Sequence, residues 1–165
     1  MAPTPANNIA YTALINPPSA TPAITIEQIW KGLEKKITAG QDFVGGALIS
    51  TDVISTSTDE QGRPVTVREV VFRDGNRRVR ETCIAFEPMK VEFHQEDGSK
   101  VQNVISHGSE GELFMTYTFE WLHPECAGDV AALEAKKEKE WKIAKMAVDK
   151  TIQVMREMVV DGRIK

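Results

Sequence analysis

From Ala47 to Leu122 the chain is a succession of short β-branched and aromatic runs, each broken by a turn, and one long helical tract with a single apolar stripe follows. The runs are "ALISTDVISTST" (47–58), "VTVREVVF" (65–72), "RVRETCIAF" (78–86), "KVEFHQ" (90–95), "KVQNVIS" (100–106) and "LFMTYTFEWL" (113–122). Between them lie "DEQGRP", "RDGN", "EDGS" and "SEGE". Glycine-bearing turns between short alternating runs are hairpin signals, so these segments predict a consecutive antiparallel meander. "IAYTALINP" (9–17) predicts one strand more, stopped by Pro17-Pro18. No repeat of sequence accompanies the spacing, which excludes a repeat array.

Two helices frame this sheet. Thr25 and Gln28 stand three apart as in a capping box, and Ile24 and Ile29 sit where a hydrophobic staple places them. Ile29, Trp30, Leu33 and Ile37 then recur at helical spacing, and Gly40 is the stop. After "HPECAG", Asp129 is an N-cap for a helix running to about Asp161, with Gly162 beyond its end. Such a helix is roughly 45–50 Å long. Its first half, "ALEAKKEKEWK", is polar, with lysines and glutamates interleaved as on a solvated face. Trp141, Ala144, Val148, Ile152, Met155 and Val159 form the stripe of its second half. The sheet is the only surface large enough to bury that stripe. About seven antiparallel strands must curl, and a curved sheet cannot interdigitate with a helix everywhere. A gap between them is expected, and such gaps bind small molecules.

The 165 residues, 41% hydrophobic and 27% charged, suit one globular domain, expected over 9–162 behind a flexible 1–8. A net charge of −4 argues against nucleic acid or an anionic membrane as partner. No run approaches the ~20 apolar residues of a membrane span. The first residues lack a basic segment followed by an apolar one, so a cytoplasmic location is expected. Cys83 and Cys126 match no framework or C-x-x-C pair and read as free thiols. His94, His107 and His123 show no metal-ligand spacing and read as surface or strand-edge residues, with His107 near a pocket mouth. No cofactor-binding motif is present.

The candidate chemistry lies on the strands. In the last strand Leu113, Met115, Tyr117, Phe119 and Trp121 share one face, expected to meet the helix, with the Tyr117 hydroxyl as its polar handle. Asn103 shares a face with Val91, Phe93, Val101 and Ile105 if "DGS" is a three-residue loop. Two Arg-Glu neighbours, Arg68-Glu69 and Arg80-Glu81, flank the turn at Asp74-Gly75. A two-residue turn there opposes Glu69 to Arg80 and Arg68 to Glu81, giving an ion pair on each face. Valines 65, 67 and 71 beside Glu69, with Ile84 and Phe86 beside Arg80, mark that couple as the inward one, although Val70, Phe72, Val79 and Cys83 accompany the other. A bulge would instead bring Glu69 and Glu81 together inside, as two carboxylates suited to acid-base work.

"VREVVF", "VRETCIAFEP", "VQNVI" and "GELFMTYTFEW", with the "TIEQIWKGL" helix, resemble the helix-grip (START-like, SRPBCC) superfamily of lipid-transfer domains, polyketide cyclases and pollen allergens. More narrowly the chain is similar to the AtaL-like subfamily of bacteria and fungal secondary-metabolite clusters. The resemblance implies an α+β helix-grip fold: a seven-stranded curved antiparallel sheet around a long C-terminal helix, with one or two short helices after the first strand. It also implies a cofactor-independent enzyme that holds a hydrophobic polyketide- or alkaloid-like intermediate and cyclises, isomerises or dehydrates it. Glu69, Glu81 and Arg80 are the candidate catalytic groups. Arg68, Asn103, Tyr117, Met115, Phe119, Trp121 and Phe93 are the candidate ligand contacts, with no metal. A homodimer is allowed. The alternative is a carrier or sensor of a hydrophobic molecule. A paired inward carboxylate suits that reading, an unpaired one suits a base. A third option is a partner-binding module using the polar half of the last helix.

Overall fold

The computed structural model describes residues 1–165. One antiparallel sheet runs in the order β1-β7-β6-β5-β4-β3-β2. Its strands are β1 (Ala6–Leu14), β2 (Leu48–Thr58), β3 (Pro64–Phe72), β4 (Arg78–Phe86), β5 (Lys90–Gln95), β6 (Lys100–His107) and β7 (Leu113–Leu122). Six strands follow one another as a meander, and the first closes against the last, Ala6 opposite Leu122 and Leu14 opposite Phe114. β1 starts three residues ahead of the expected position. α1 (Ile26–Thr38) leaves the sheet after β1, and α2 (Val130–Val160) returns over it. This is the helix-grip architecture.

Local chemistry explains both helices. Thr25 Oγ1 accepts from the Gln28 amide while Gln28 Oε1 accepts from the Thr25 amide, the reciprocal bonds of a capping box. Ile24 and Ile29 are both buried, completing the staple. The Ala132 amide donates to Asp129 Oδ1 at 2.9 Å and starts α2. Gly32 lets the helices cross closely, since a Cβ there would meet the Met155 side chain within 2.7–2.9 Å.

The core is the concave face of the sheet, α1 and the second half of α2. Met115, Tyr117 and Phe119 point into it, as do Val91, Phe93, Asn103 and Ile105. Val148, Thr151, Ile152, Met155 and Met158 cover them from α2. Trp141, expected on the stripe, is instead 43% exposed, because the stripe meets the sheet only from Ala144 onward. The polar first half of α2 is held another way. Glu140, buried, accepts from Asn7 Nδ2 at 2.6 Å and pairs with His123 Nε2 at 2.5 Å, while His123 Nδ1 faces Glu125 at 3.2 Å. His123, expected at the surface, is thus part of a buried clasp between β1, β7 and α2. β2, at the edge opposite β1, is largely exposed and bent by register shifts at Leu48/Ser50 and Val53/Ser55.

Candidate functional site

The β3–β4 hairpin decides where its charges go. Its register opposes Arg68 to Glu81 and Glu69 to Arg80, the pairing a two-residue turn predicts. The loop is longer, with a short 3-10 turn at Asp74–Asn76, closed by the Phe72 amide on the Arg77 carbonyl at 2.8 Å. It is centred on the same point, so the register survives.

The inward couple is Arg68–Glu81, not Glu69–Arg80. Arg68 and Glu81 are only 4% and 5% exposed. Val65, Val67 and Phe86, which marked the other face as inward, are half-buried on an outer face, and of that set only Val71 is buried. Phe86 is covered there by Arg63 and Lys90, whose cations lie 4.4 and 4.2 Å from its ring centre. Glu69 bonds Arg78 Nη1 at 2.6 Å on that outer face, and Arg80 lies 3.9 Å from Glu96. Glu69 and Arg80 therefore stand on the opposite face of the sheet from Glu81. The bulged arrangement with two facing carboxylates does not form.

Arg68 is fully engaged. Its Nε and Nη2 donate to Glu81 Oε2 at 2.9 and 2.7 Å, and its Nη1 donates to the carbonyls of Lys36 and Ile37 at 2.8 and 2.9 Å. These carbonyls are orphans of the last turn of α1. Gly40 makes room, since a Cβ there would lie 3.3 Å from Arg68 Nη1 and 3.2 Å from Thr51 Oγ1. Glu81 Oε1 accepts from Gln95 Nε2 at 3.0 Å. The inward carboxylate is paired and ties the sheet to the end of α1.

That tie positions a residue the sequence reading passed over. Lys36, in the last turn of α1, points into the core. Its Nζ donates to Asn103 Oδ1 at 2.9 Å and to Tyr117 Oη at 2.8 Å, and lies 4.2 Å from the Tyr117 ring centre. Burial drives its pKa from 10.5 down to about 7; Arg68 adds repulsion, and Glu81 pulls the other way. Burial likewise raises the Tyr117 hydroxyl well above its ordinary value, with Thr151 opposing, and pushes the Cys83 thiol up to about 12. Cys83 is a buried, protonated neighbour rather than a nucleophile. The signal for Lys36 was its place on the apolar stripe, seven residues after Ile29 and three after Leu33.

The cluster is not saturated. Asn103 Nδ2 is buried without a hydrogen-bond partner, and the buried Thr151 hydroxyl has only the Tyr117 hydroxyl beside it. A neutral amine that donates two N–H groups also keeps a free lone pair. Phe93 lies under Arg68 at 4.8 Å, and Met115 and Phe119 flank Tyr117 along β7. Trp121 stacks on Phe119 at 4.4 Å but is only partly buried, near the strand end. Asn103 opposes Val91 and Tyr117, on the expected face, although the β5–β6 loop sits one residue earlier than read, with the Gln95 amide on the Ser99 carbonyl. A wide groove of about 640 Å³ lies elsewhere, between the end of β1, the loop after it and α2, where Arg156 and Asp149 meet Ile15, Pro17 and Val160.

The element order and this hairpin agree with comparison to known proteins. The family described as acetylaranotin biosynthesis cluster protein L matches residues 9–162.

The chain belongs to the AtaL family.

No curated protein matches it. Among solved structures, the di-domain ARO/CYC BexL from the BE-7585A biosynthetic pathway superposes with a TM-score of 0.60 at 11% identity, over 92% of this chain and 49% of BexL. This AtaL-family chain thus spans about half the length of that relative. BH1534 of Bacillus halodurans superposes at 0.59 with 15% identity, over 90% of this chain and 96% of its own. An AHSA1-like protein of Aeromonas hydrophila superposes at 0.51 with 15% identity, covering 94% of each. At such identities the likeness is one of fold. No helix is long and apolar enough to cross a membrane.

Proposed function

We propose that this AtaL-family protein acts in secondary metabolism on a small hydrophobic, polyketide- or alkaloid-like intermediate. It holds that intermediate at the Lys36–Asn103–Tyr117 cluster and moves a proton during cyclisation, isomerisation or dehydration. One observation carries the reading: an amine whose pKa of about 7 leaves about half of it neutral at pH 7, with its lone pair free, beside a buried amide nitrogen that lacks a partner. A base is most effective when its pKa lies near the working pH. Asn103 Nδ2 is a donor for the oxygen on which negative charge develops, and Tyr117 is the neutral acid beside the amine. Glu81 supports the site through Arg68 and does not act as the base. The matching family's biosynthetic description and the cyclase likeness of the fold lend weight to a ring-closing step.

One observation favours the second reading, a carrier that binds without altering its cargo: the carboxylate that the β3–β4 hairpin turns inward is neutralised by Arg68. The two readings separate on an aryl δ-diketone, whose internal aldol closure and loss of water give a conjugated cyclohexenone visible in the near ultraviolet. The enzyme reading expects turnover that falls roughly 10²–10⁴-fold in Lys36→Met, with diketone affinity, read by tryptophan fluorescence, kept within about threefold. Binding by both proteins with no turnover by either would establish the carrier.

A further inference from the structure

The same cluster carries a more specific inference, which rests on the proposed site. We propose that Lys36 captures its substrate covalently, as an imine, and that the substrate is therefore an aldehyde or ketone. The geometry supplies each part of the step. Lys36 Nζ donates two of its N–H groups, to Asn103 Oδ1 and Tyr117 Oη, so its lone pair points away from both. Attack on a carbonyl carbon forms the C–N bond and moves the π pair onto oxygen. That oxygen takes a proton from the Tyr117 hydroxyl, and the proton displaced from nitrogen returns to the phenolate. The carbinolamine then loses its hydroxyl with one further proton from nitrogen, as water, leaving the C=N bond. Amine plus carbonyl gives imine plus water, and no oxidant or reductant is needed.

One orphaned atom points to the oxygen's place. Asn103 Nδ2 is a buried donor without an acceptor, on the same amide that holds Lys36. Thr151, on the helix that covers Tyr117, sets a buried hydroxyl beside the Tyr117 hydroxyl. Buried polar groups are almost always satisfied, so an unpaired one beside a reactive amine marks the seat of a polar group the chain does not itself provide. Arg68 and Glu81 neutralise each other and leave no net charge to select an anion or a cation. A neutral carbonyl fits that balance. Met115, Phe93 and Phe119 add an apolar surround. Once it takes a proton on nitrogen from the Tyr117 hydroxyl, the imine becomes an iminium, which would serve the proposed reaction because it acidifies the neighbouring C–H bonds more than the parent carbonyl does.

The test uses the full chain and benzoylacetone, a hydrophobic β-diketone that condenses with neutral amines to a chromophoric enaminone. The expected result at about pH 7 is one adduct, of mass equal to the diketone less water, mapped to the Lys36 peptide. It should form at least tenfold faster than adducts at Lys31 or Lys35, and Tyr117→Phe should slow it at unchanged melting temperature. Lys36→Arg should lack the adduct while its surface lysines label as before. In urea the selectivity should vanish. Labelling of Lys36 no faster than of Lys31 and Lys35 would overturn the proposal. A second arm treats the protein with the aryl δ-diketone and cyanoborohydride, which should inactivate it through a secondary amine at Lys36. If turnover depends on Lys36 but neither arm traps it, covalent capture fails and proton transfer stands. If turnover and trapping are both absent, both fail.

Discussion

Two buried polar clusters lie against the sheet, one beside the Asn7 end of β1 and one across β6 and β7 at Asn103 and Tyr117, and they differ in completeness. At the Asn7–His123–Glu140 clasp both carboxylate oxygens are taken, and no buried side-chain atom lacks a partner. At the Lys36–Asn103–Tyr117 cluster an amide nitrogen goes unpaired, and an amine is held with its pKa drawn down to about 7. A network satisfied by the chain alone stabilises a helix dock. A network left open at the price of burying an unpaired dipole is better explained by something that arrives later. The first therefore serves the fold and the second the function. The hairpin repeats the contrast on a smaller scale, one Arg-Glu couple buried and closed, the other at the solvent.

The largest effect should come from breaking the closed inward couple. Glu81→Leu leaves the Arg68 guanidinium buried and unpaired and should cost about 3–5 kcal/mol in urea denaturation. Adding Arg68→Met should restore much of that loss, although the α1 carbonyls lose their donor. A small effect of Glu81→Leu alone would mean that water reaches the pair. Next, His123→Ala should cost about 1–3 kcal/mol by leaving Glu140 short of a partner. It should leave δ-diketone turnover unchanged at a temperature where the variant is folded; lost turnover would erase the distinction between the clusters.

The open cluster has its own pH signature. Lys36 holds its proton less tightly when folded, so between about pH 7 and 10.5 the unfolded chain binds more protons. Stability should therefore climb as pH rises through that window, by up to about 1.4 kcal/mol per unit, and level off below it. Lys36→Met should flatten that slope. The smallest effect belongs to the outer couple: Glu69→Gln should shift stability by no more than about 0.5 kcal/mol, less still in high salt.

Much of this architecture was legible in the sequence, because turn residues and period-two alternation report backbone directly. The register of the β3–β4 hairpin could be read from Asp74-Gly75, even though the loop proved longer. The capping box at Thr25 and the cap at Asp129 set both helix starts. Which hairpin face turns inward was not legible. Phe86 and the valines look like core residues until Arg63 and Lys90 are seen lying over the ring, and coverage by long cationic stems leaves no local pattern. Lys36 was missed for a related reason. A lysine on an apolar stripe usually sends its ammonium back to water, and only the sheet opposite shows that Asn103 and Tyr117 receive it instead. Residues on three elements far apart in sequence build the site, so no local motif announces it.

The central claim is that one lysine is kept buried for chemistry, with its pKa drawn down to about 7. Heteronuclear NMR of lysine side-chain Cε and Nζ resonances against pH measures this directly, with Lys36→Arg assigning the signal. A single lysine titrating near pH 7, absent from the arginine variant, is the predicted result. Every lysine titrating near its ordinary 10.5 would contradict it.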